Sequence, residues 1–456
     1  MAKETSKRTN GDGSVYFRKS DNRWCAALSL PEGEGEKARR VTRTVPAKGS
    51  QRQQEAAAKA LLLTLTRERA ANGGDIQTAI LTVETWARKW LADIIEPHKR
   101  PKTSASYRTT VEQYIIPSIG RKQLRKLSTD HVREAVAYVT AKKLSSRSAA
   151  LTYQVLSLLL KAAYREGKIT RNVADLVDRP GTKKPDLDVL TADQAIKVLY
   201  SVSGDRLGSR WAAAVFTGAR QGELLGLELD RVGEVLDLSW QLQRITWRHG
   251  CGLKSTAWPC GKVQGAACPL RKVMAPVDHE MRYLQGGLWL SRPKSTAGWR
   301  IVPLVEPLKS IIERRIVVAE SEPNPHGLLW TADSLKLDGS PIDPSRDNAA
   351  WHRILVKAGF EEIVERDGKQ VIDKRIDLHS ARHTTVDLLY QAEIPEALIQ
   401  EIVGHSVVSA TRGYRSKGNR KQLHDALTRM SALMIEQPLP NSVPENLDAI
   451  EAELSA

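Results

Sequence analysis

Near its midpoint the chain reads Phe216-Thr217-Gly218-Ala219-Arg220-Gln221-Gly222-Glu223-Leu224-Leu225-Gly226-Leu227. Gly218 can end one helix, so that Arg220 stands at the start of the next. A planar guanidinium there suits two phosphate oxygens and does not lose its charge by titration. Glu223 lies one helical turn further on and could orient Arg220. A lone arginine in such a place is more often part of a surface ion pair, so the interpretation depends on what else the chain offers.

Three later stretches offer the other groups that phosphodiester chemistry needs. They read Arg292-Pro293-Lys294-Ser295-Thr296-Ala297-Gly298-Trp299-Arg300-Ile301-Val302-Pro303-Leu304, Leu378-His379-Ser380-Ala381-Arg382-His383-Thr384, and Val403-Gly404-His405-Ser406. Tyr414 lies nine residues beyond His405. Arginines and histidines can grip a phosphodiester, a lysine can protonate a leaving oxygen, and an activated tyrosine can attack phosphorus. The set predicts strand breakage without water, metal or ATP.

The surroundings of these residues predict where they stand. Lys294 lies between Leu288–Ser291 and Trp299–Val302, which are predicted as the two strands of a hairpin, so the lysine would occupy a mobile turn. A solvated turn lysine is the alternative. His379 and Arg382 are three residues apart and would face one way on a helix.

Two nearby residues are predicted to have no part in the chemistry. His383 would point away from the site and be structural. Tyr390, in the run Leu388-Leu389-Tyr390, is predicted to lie in a helix core.

The four stretches together resemble the tyrosine recombinases, the phage integrase family, over most of Thr191–Leu433. The resemblance implies DNA cleavage and rejoining through a 3′-phosphotyrosine intermediate, with no cofactor for catalysis. It also implies a role for each residue. Arg220 and Arg382 would be phosphate clamps, and His405 would donate to a non-bridging oxygen. Lys294 would be the general acid for the 5′-oxygen, and Tyr414 would be the nucleophile. His379 would accept the tyrosine proton or donate to the phosphate.

The resemblance further implies partners and context. They are double-stranded DNA attachment sites, a homotetramer in the synaptic complex, a host DNA-bending protein and an excision factor, in the service of a phage or mobile element. Three other functions stay open at this point. A chromosome-dimer resolvase would generally lack a basic N-terminal segment, a type IB topoisomerase would relax DNA without a preferred site, and a DNA-binding regulator would retain the fold without the activity.

Charge agrees with a polyanionic partner. The net charge is +16 and the isoelectric point about 9.6; solubility is the alternative reading. Residues 1–74 carry 15 Lys+Arg against 8 Asp+Glu, whereas residues 436–456 carry five acids and no base. The chain has no apolar run near the ~20 residues that span a bilayer, and the polar start Met1–Ser14 has no secretory core. A cytoplasmic, nucleoid-associated protein without membrane contact is therefore expected.

The pattern predicts a multidomain, mainly α protein with small β elements. Strands at Ser14–Arg18, Arg23–Leu30 and Arg39–Val45 and a helix at Gln53–Ala71 would form a sheet-plus-helix domain, residues 11–74. It resembles the arm-type DNA-binding domain of integrases; a structural domain with solvated arginines is the alternative.

Three more segments would follow this first domain. Residues 80–180 resemble the helical core-binding domain, residues 186–435 would be a mixed α/β, mainly helical catalytic domain, and residues 436–456 an acidic tail. Within the helical segment, Val83, Trp86, Trp90 and Ile94 fall on one helical face, and the tryptophans are predicted as core rather than as DNA contacts.

One feature departs from the usual family pattern. Three of the four cysteines and a histidine fall within twenty residues: His249, Cys251, Cys260 and Cys268. Three thiolates and one imidazole can complete a tetrahedral zinc site, which would be structural. An inserted loop with reduced, partly buried cysteines is the alternative.

Overall fold

The structure is a computed structural model that describes residues 13–30, 39–71, 81–183, 189–252, 257–293, 299–332, 338–366, 368–404 and 417–435. The described residues form two compact units, one within residues 1–95 and 106–183 and the other within residues 96–105 and 184–456. Lys294, His405, Tyr414 and the acidic tail lie outside the described residues.

The first unit begins with a small antiparallel sheet in the order β1-β2-β3 and one helix. These elements are β1 Ser14–Arg18, β2 Arg23–Leu30, β3 Arg39–Thr44 and α1 Gln51–Ala71. Alternate residues of β2, among them Ala26 and Leu28, are buried with Leu65 of α1 in one apolar cluster. The sheet therefore has one face on the helix and one face away from it, and the predicted strands and helix are confirmed.

Helices occupy most of residues 83–165. They are α2 Val83–Trp90, α3 Glu96–His98, α4 Pro101–Thr110, α5 Ile116–Ile119, α6 Thr129–Ala141 and α7 Ser146–Arg165, with π-helical turns at Leu91–Ile95 and Val111–Ile115. Trp86 and Trp90 are 1% and 2% exposed, and the Trp86 indole donates to the carbonyl of Leu159 at 3.0 Å. Both tryptophans are core residues, as predicted. Because the π-helical turn adds a residue to the repeat, Ile95 is buried where Ile94 was expected, and Ile94 is only half-buried.

The second unit is mainly helical around a large apolar core, with three small sheets. Its helices are α8 Ala192–Ser201, α9 Gly208–Thr217, α10 Gln221–Leu225, α11 Leu308–Ser321, α12 Pro344–Lys357, α13 Ser380–Gln391, α14 Glu396–Val403 and α15 Lys417–Ile435. Its strands are β4 Val235–Asp237, β5 Gln241–Arg244, β6 Met281–Gln285, β7 Leu288–Ser291, β8 Ile301–Pro303, β9 Ile363–Arg366 and β10 Lys369–Ile372.

The predicted hairpin around Lys294 is wrong. β7 is the middle strand of the sheet β5-β7-β6, whereas β8 pairs with β4 in another sheet. The tight turn at Gly286, with a φ of +60°, joins β6 to β7 and gives β7 a partner that precedes it in sequence. β7 and β8 therefore belong to two different sheets, and Lys294 itself lies outside the described residues.

The core also corrects the prediction for Tyr390. Leu388 and Leu389 are buried, but Tyr390 is 52% exposed. Three consecutive helical residues span more than half a turn, so the third one turns away from the core.

No helix within the described ranges is long and apolar enough to cross a membrane.

Candidate active site

Three of the six predicted residues meet in one cleft of about 600 Å³. Arg220, His379 and Arg382 line it, together with residues of β5 and the start of α12. Lys294, His405 and Tyr414 fall outside the part of the chain that the structure describes, so their positions relative to this cleft stay predictions. The three described residues come from two chain segments about 160 positions apart, which only the fold brings together.

The turn between α9 and α10 presents Arg220. Gly218 ends α9 with a φ of +57°, a left-handed conformation that glycine adopts without strain. Arg220 then caps the N-terminus of α10, as predicted, with its side chain partly exposed to the cleft. Its Nη2 donates to the carbonyl of Gly404 at 2.8 Å, which ties α10 to the end of α14.

Glu223 is a buried acceptor for this turn. Its Oε1 accepts from Arg220 Nη1 at 2.7 Å and its Oε2 from the Arg220 backbone N–H at 2.8 Å. Arg300 donates to the same Oε2 at 2.6 Å. Burial alone would raise the pKa of the Glu223 carboxyl, but Arg300 and Arg220 hold it below its ordinary value. The expectation that Glu223 orients Arg220 is confirmed.

Arg382, in the first turn of α13, is almost fully buried. Its Nη1 donates to the carbonyl of Gly218 at 2.8 Å. Its Nη2 has no hydrogen-bond partner among the residues that the structure describes. Because buried donors in folded proteins are nearly always paired, this nitrogen is available to an acceptor that enters the cleft.

The loop before α13 is held in place by the buried carboxylate of Glu361. Glu361 accepts from the backbone N–H groups of Arg375 and Ile376 at 2.9 and 3.1 Å, and its other oxygen lies 2.9 Å from His352 Nδ1. Asp377 then caps the helix by accepting from the N–H of Ser380 at 3.1 Å. No sequence pattern predicted this support, which sets the place of His379 at the start of α13.

Several groups around His379 favour its neutral form. Burial lowers the pKa of the imidazole below its usual value, and His383, Arg382 and Arg220 act in the same direction. The ring of His383 lies 5.2 Å from that of His379, edge to face. His383 therefore lies beside His379 across the first turn of α13, but it is not among the described residues that line the cleft.

Known proteins share this architecture. A model described as "Phage integrase family" matches residues 276–420, and one described as "Phage integrase central domain" matches residues 83–179. The chain is similar to an integrase of Saccharopolyspora erythraea, 27% identical over 438 residues, which are 91% of this chain and 95% of the relative. It is also similar to an integrase of Streptomyces ambofaciens, 29% identical over 433 residues, which are 95% and 99% of the two chains. The chain belongs to the phage integrase family.

A solved structure agrees at the level of the fold. The Tn1549 transposon integrase in complex with transposon right end DNA has a TM-score of 0.54, with 16% identity over 82% of this chain and 99% of that chain. The protein is thus a tyrosine recombinase, an enzyme that recombines DNA at specific sites. The predicted family, mainly α fold and enzyme class are confirmed.

Residues 248–272, the predicted insertion, lie between β5 and β6. Its ends return to each other, because Arg248 and Lys272 exchange backbone hydrogen bonds of 2.8 and 2.9 Å. Inside it the donor atoms of His249, Cys251, Cys260 and Cys268 all lie within 4.8 Å of one another. The family model's match begins at residue 276, after this insertion.

The geometry of the four side chains fits a tetrahedral metal. His249 Nδ1 lies 3.8 Å from Cys251 Sγ and 3.3 Å from Cys260 Sγ. Zinc bonds of ~2.3 Å to sulfur and ~2.0 Å to nitrogen place ligand atoms roughly 3.5 to 3.8 Å apart. Burial opposes ionisation of Cys268, but the backbone N–H groups of Gly250 and Leu270 lower its pKa to about 6. A thiolate at neutral pH is the form that binds metal.

Arg300 is the functional residue that the sequence pattern missed. It is 2% exposed and lies one residue before β8, with Ile301 partly exposed and Val302 buried. An arginine at an inward-facing strand position requires a buried acceptor. The alternation of inward and outward residues around Arg300 was therefore the sequence signal that could have identified it. The acceptor, Glu223, is 77 residues away in sequence.

The surroundings of His379 predict its titration. In the folded protein the His379 ring should become protonated only below pH 6.5, and the unfolded chain should take up this proton at higher pH. Acidification should therefore cost stability. His383→Gln removes one of the groups that lower the pKa, so the midpoint should rise towards 6.5. NMR titration of ¹³C-labelled histidine rings measures both midpoints. A wild-type midpoint at or above 6.5 would contradict the assignment of this environment.

Proposed function

We propose that this recombinase integrates or excises a phage or mobile element by cutting each DNA strand with Tyr414. One observation carries the proposal: Arg220 and Arg382 converge on one cleft with a neutral histidine, and the buried Nη2 of Arg382 has no partner in the described structure. Two guanidiniums match the charge that builds up on phosphorus during transfer. The chemistry follows from this arrangement.

The cleavage step uses all six residues. The phenolic oxygen of Tyr414 attacks phosphorus and loses its proton to His379, which also stands within reach of the phosphate. The bond from phosphorus to the 5′-oxygen breaks as Lys294 gives that oxygen a proton. Arg220, Arg382 and His405 neutralise the non-bridging oxygens throughout. The 3′-phosphotyrosine keeps the energy of the broken bond, so rejoining to another strand needs no ATP.

We further propose that residues 11–74 are an arm-type DNA-binding domain. Tyr16, Arg18, Arg23 and Arg40 share the sheet face opposite α1, and Arg40 lies over the ring of Tyr16 at 5.7 Å. On the other face, Ala26, Leu28, Leu30 and Val41 pack with Leu65 of α1. A sheet with one basic face can enter a major groove.

The remaining segments complete the proposed complex. Residues 80–180 would grip the core site, residues 186–435 would hold the catalytic cleft, and residues 436–456 would contact a neighbouring subunit. Four copies would pair two attachment sites in the nucleoid, with a host DNA-bending protein and an excision factor setting direction. These partners are carried over from the family resemblance.

We also propose that the insertion holds one structural zinc ion. His249, Cys251, Cys260 and Cys268 supply three thiolates and an imidazole, and the other ring nitrogen of His249 faces the carbonyl of Val263 at 3.5 Å. An outer partner of this kind fixes the orientation of a ligating histidine. The metal would hold the insertion together and take no part in cleavage.

Tyr414→Phe tests the nucleophile. The change removes one oxygen, so folding and DNA binding should persist while covalent protein–DNA adducts on a nicked core site disappear. Arg220→Ala and Arg382→Ala should each slow adduct formation on the order of 100-fold or more. Adducts formed by Tyr414→Phe would show that another residue attacks.

A substrate with a modified leaving group tests the role of Lys294 separately, in the same assay. A substrate with sulfur in place of the 5′-bridging oxygen needs no proton on departure. It should rescue Lys294→Ala and leave the arginine variants slow. Failure of that rescue would remove the general-acid role alone.

Arg40→Glu tests the arm-type domain. Charge reversal on the outer sheet face should weaken binding to a full attachment site roughly 10- to 100-fold. Binding to an isolated core site should not change. Arg67→Glu is the matched control, because it reverses an exposed charge on α1 of the same domain. Equal losses for the two variants, measured by gel shift at fixed salt, would contradict the assignment of the sheet face.

Elemental analysis tests the metal site. Purified protein should contain about one zinc per chain, and Cys260→Ser should lose it. Cys25→Ser is the control, since Cys25 is buried in the N-terminal sheet far along the chain from the cluster. Affinity should fall as the pH drops, because protons compete with the metal for the thiolates. Metal-free protein with an unchanged melting temperature would refute a structural ion.

A further inference from the structure

Arg300 is too deeply buried to touch DNA, yet it is bonded to the groups that place the catalytic side chains. Its side chain is 2% exposed, and no catalytic role falls to it in the proposed mechanism. Its Nη2 donates to Glu223 Oε2 at 2.6 Å and its Nη1 donates to the carbonyl of Ile402. It therefore bridges the turn that presents Arg220 and the last turn of α14.

The first connection runs through a shared carboxylate. Glu223 binds both the backbone N–H and the guanidinium of Arg220 while it binds Arg300. With Arg300 removed, Glu223 would keep a lone pair without a donor in a buried site, and the carboxylate would be free to turn. Arg220, which depends on the same two oxygens, would lose its fixed orientation.

The second connection runs through the end of α14. Gly404 ends that helix with a φ of +69°, and its carbonyl accepts from Arg220. A Cβ atom on Gly404 would lie 2.9 Å from Arg300 Cδ and 3.6 Å from Arg220 Nη1. The negative, C-terminal end of the α14 dipole therefore lies against the guanidiniums of Arg220 and Arg300. The next residue in the chain is His405.

We propose that Arg300 is a positioning residue for cleavage, acting through Glu223 on Arg220 and through Ile402 and Gly404 on the turn that leads to His405. Arginine suits this task because its planar fork serves two separate acceptors at once. The inference rests on the proposed function of Arg220. A buried ion pair that only stabilises the fold is the competing explanation.

The chain contains a matched control in Arg315 on α11. Arg315 is 4% exposed, donates to Glu322 at 2.8 Å and donates to the carbonyl of Leu329 at 2.9 Å. It has the same kinds of partners as Arg300, a carboxylate and a backbone carbonyl. Neither partner contacts Arg220, His379 or Arg382 in the described structure.

The experiment compares Arg300→Met with Arg315→Met in single-turnover adduct formation on a nicked core site, below the melting temperature of both. Arg300→Met should slow adduct formation about 10- to 100-fold with core-site affinity changed less than about threefold. Arg315→Met should lower the melting temperature while its rate stays near that of the wild type. Equal rates for the two variants would overturn the inference.

A double variant separates positioning from general damage. If Arg300 acts through Arg220, then Arg220→Lys with Arg300→Met should be little slower than Arg220→Lys alone. Arg300→Lys keeps the charge but lacks the planar fork that spans the two acceptors, so its rate should fall between those of the wild type and Arg300→Met. Multiplicative losses in the double variant would refute the coupling. Failure of the wild type to form adducts would instead refute the proposed function.

Discussion

The catalytic half of this recombinase depends on one buried carboxylate. Glu223 holds Arg220 and Arg300 at 2.6 to 2.8 Å, and each arginine in turn binds a carbonyl near the end of α14. A buried acid without these partners would be costly, and so would each buried guanidinium without the acid. The three side chains are therefore stable only as a unit, and the unit joins elements that are far apart in sequence.

The same unit leaves the cleft positively charged. Three guanidiniums stand near one carboxylate, and burial together with the charges of Arg300 and Arg220 lowers the pKa of Arg382. His379 is kept neutral by the same field. This excess of positive charge would favour a negatively charged ligand in the cleft, which is the part that the proposed function gives to the DNA phosphodiester. The same excess of positive charge would therefore favour both DNA binding and the cleavage step.

Local patterns predicted local structure well. The strands β1 and β2 were predicted to the residue because strand-forming residues stand on both sides of a short polar turn. The four donors of the insertion could be grouped because three cysteines and a histidine are close in sequence.

Predictions that required distant partners failed. β7 and β8 were expected to pair because no other strand separates them in sequence, but β7 pairs with β5 and β6, and β8 pairs with the much earlier strand β4. Arg300 was missed because Glu223 is remote in sequence. The insertion that carries the four donors shows the converse. Since Arg248 and Lys272 close its base with two backbone hydrogen bonds, it is a self-contained loop on the sheet. Because its two ends are bonded to each other, a change inside this loop need not shift the register of β5 and β6 on β7.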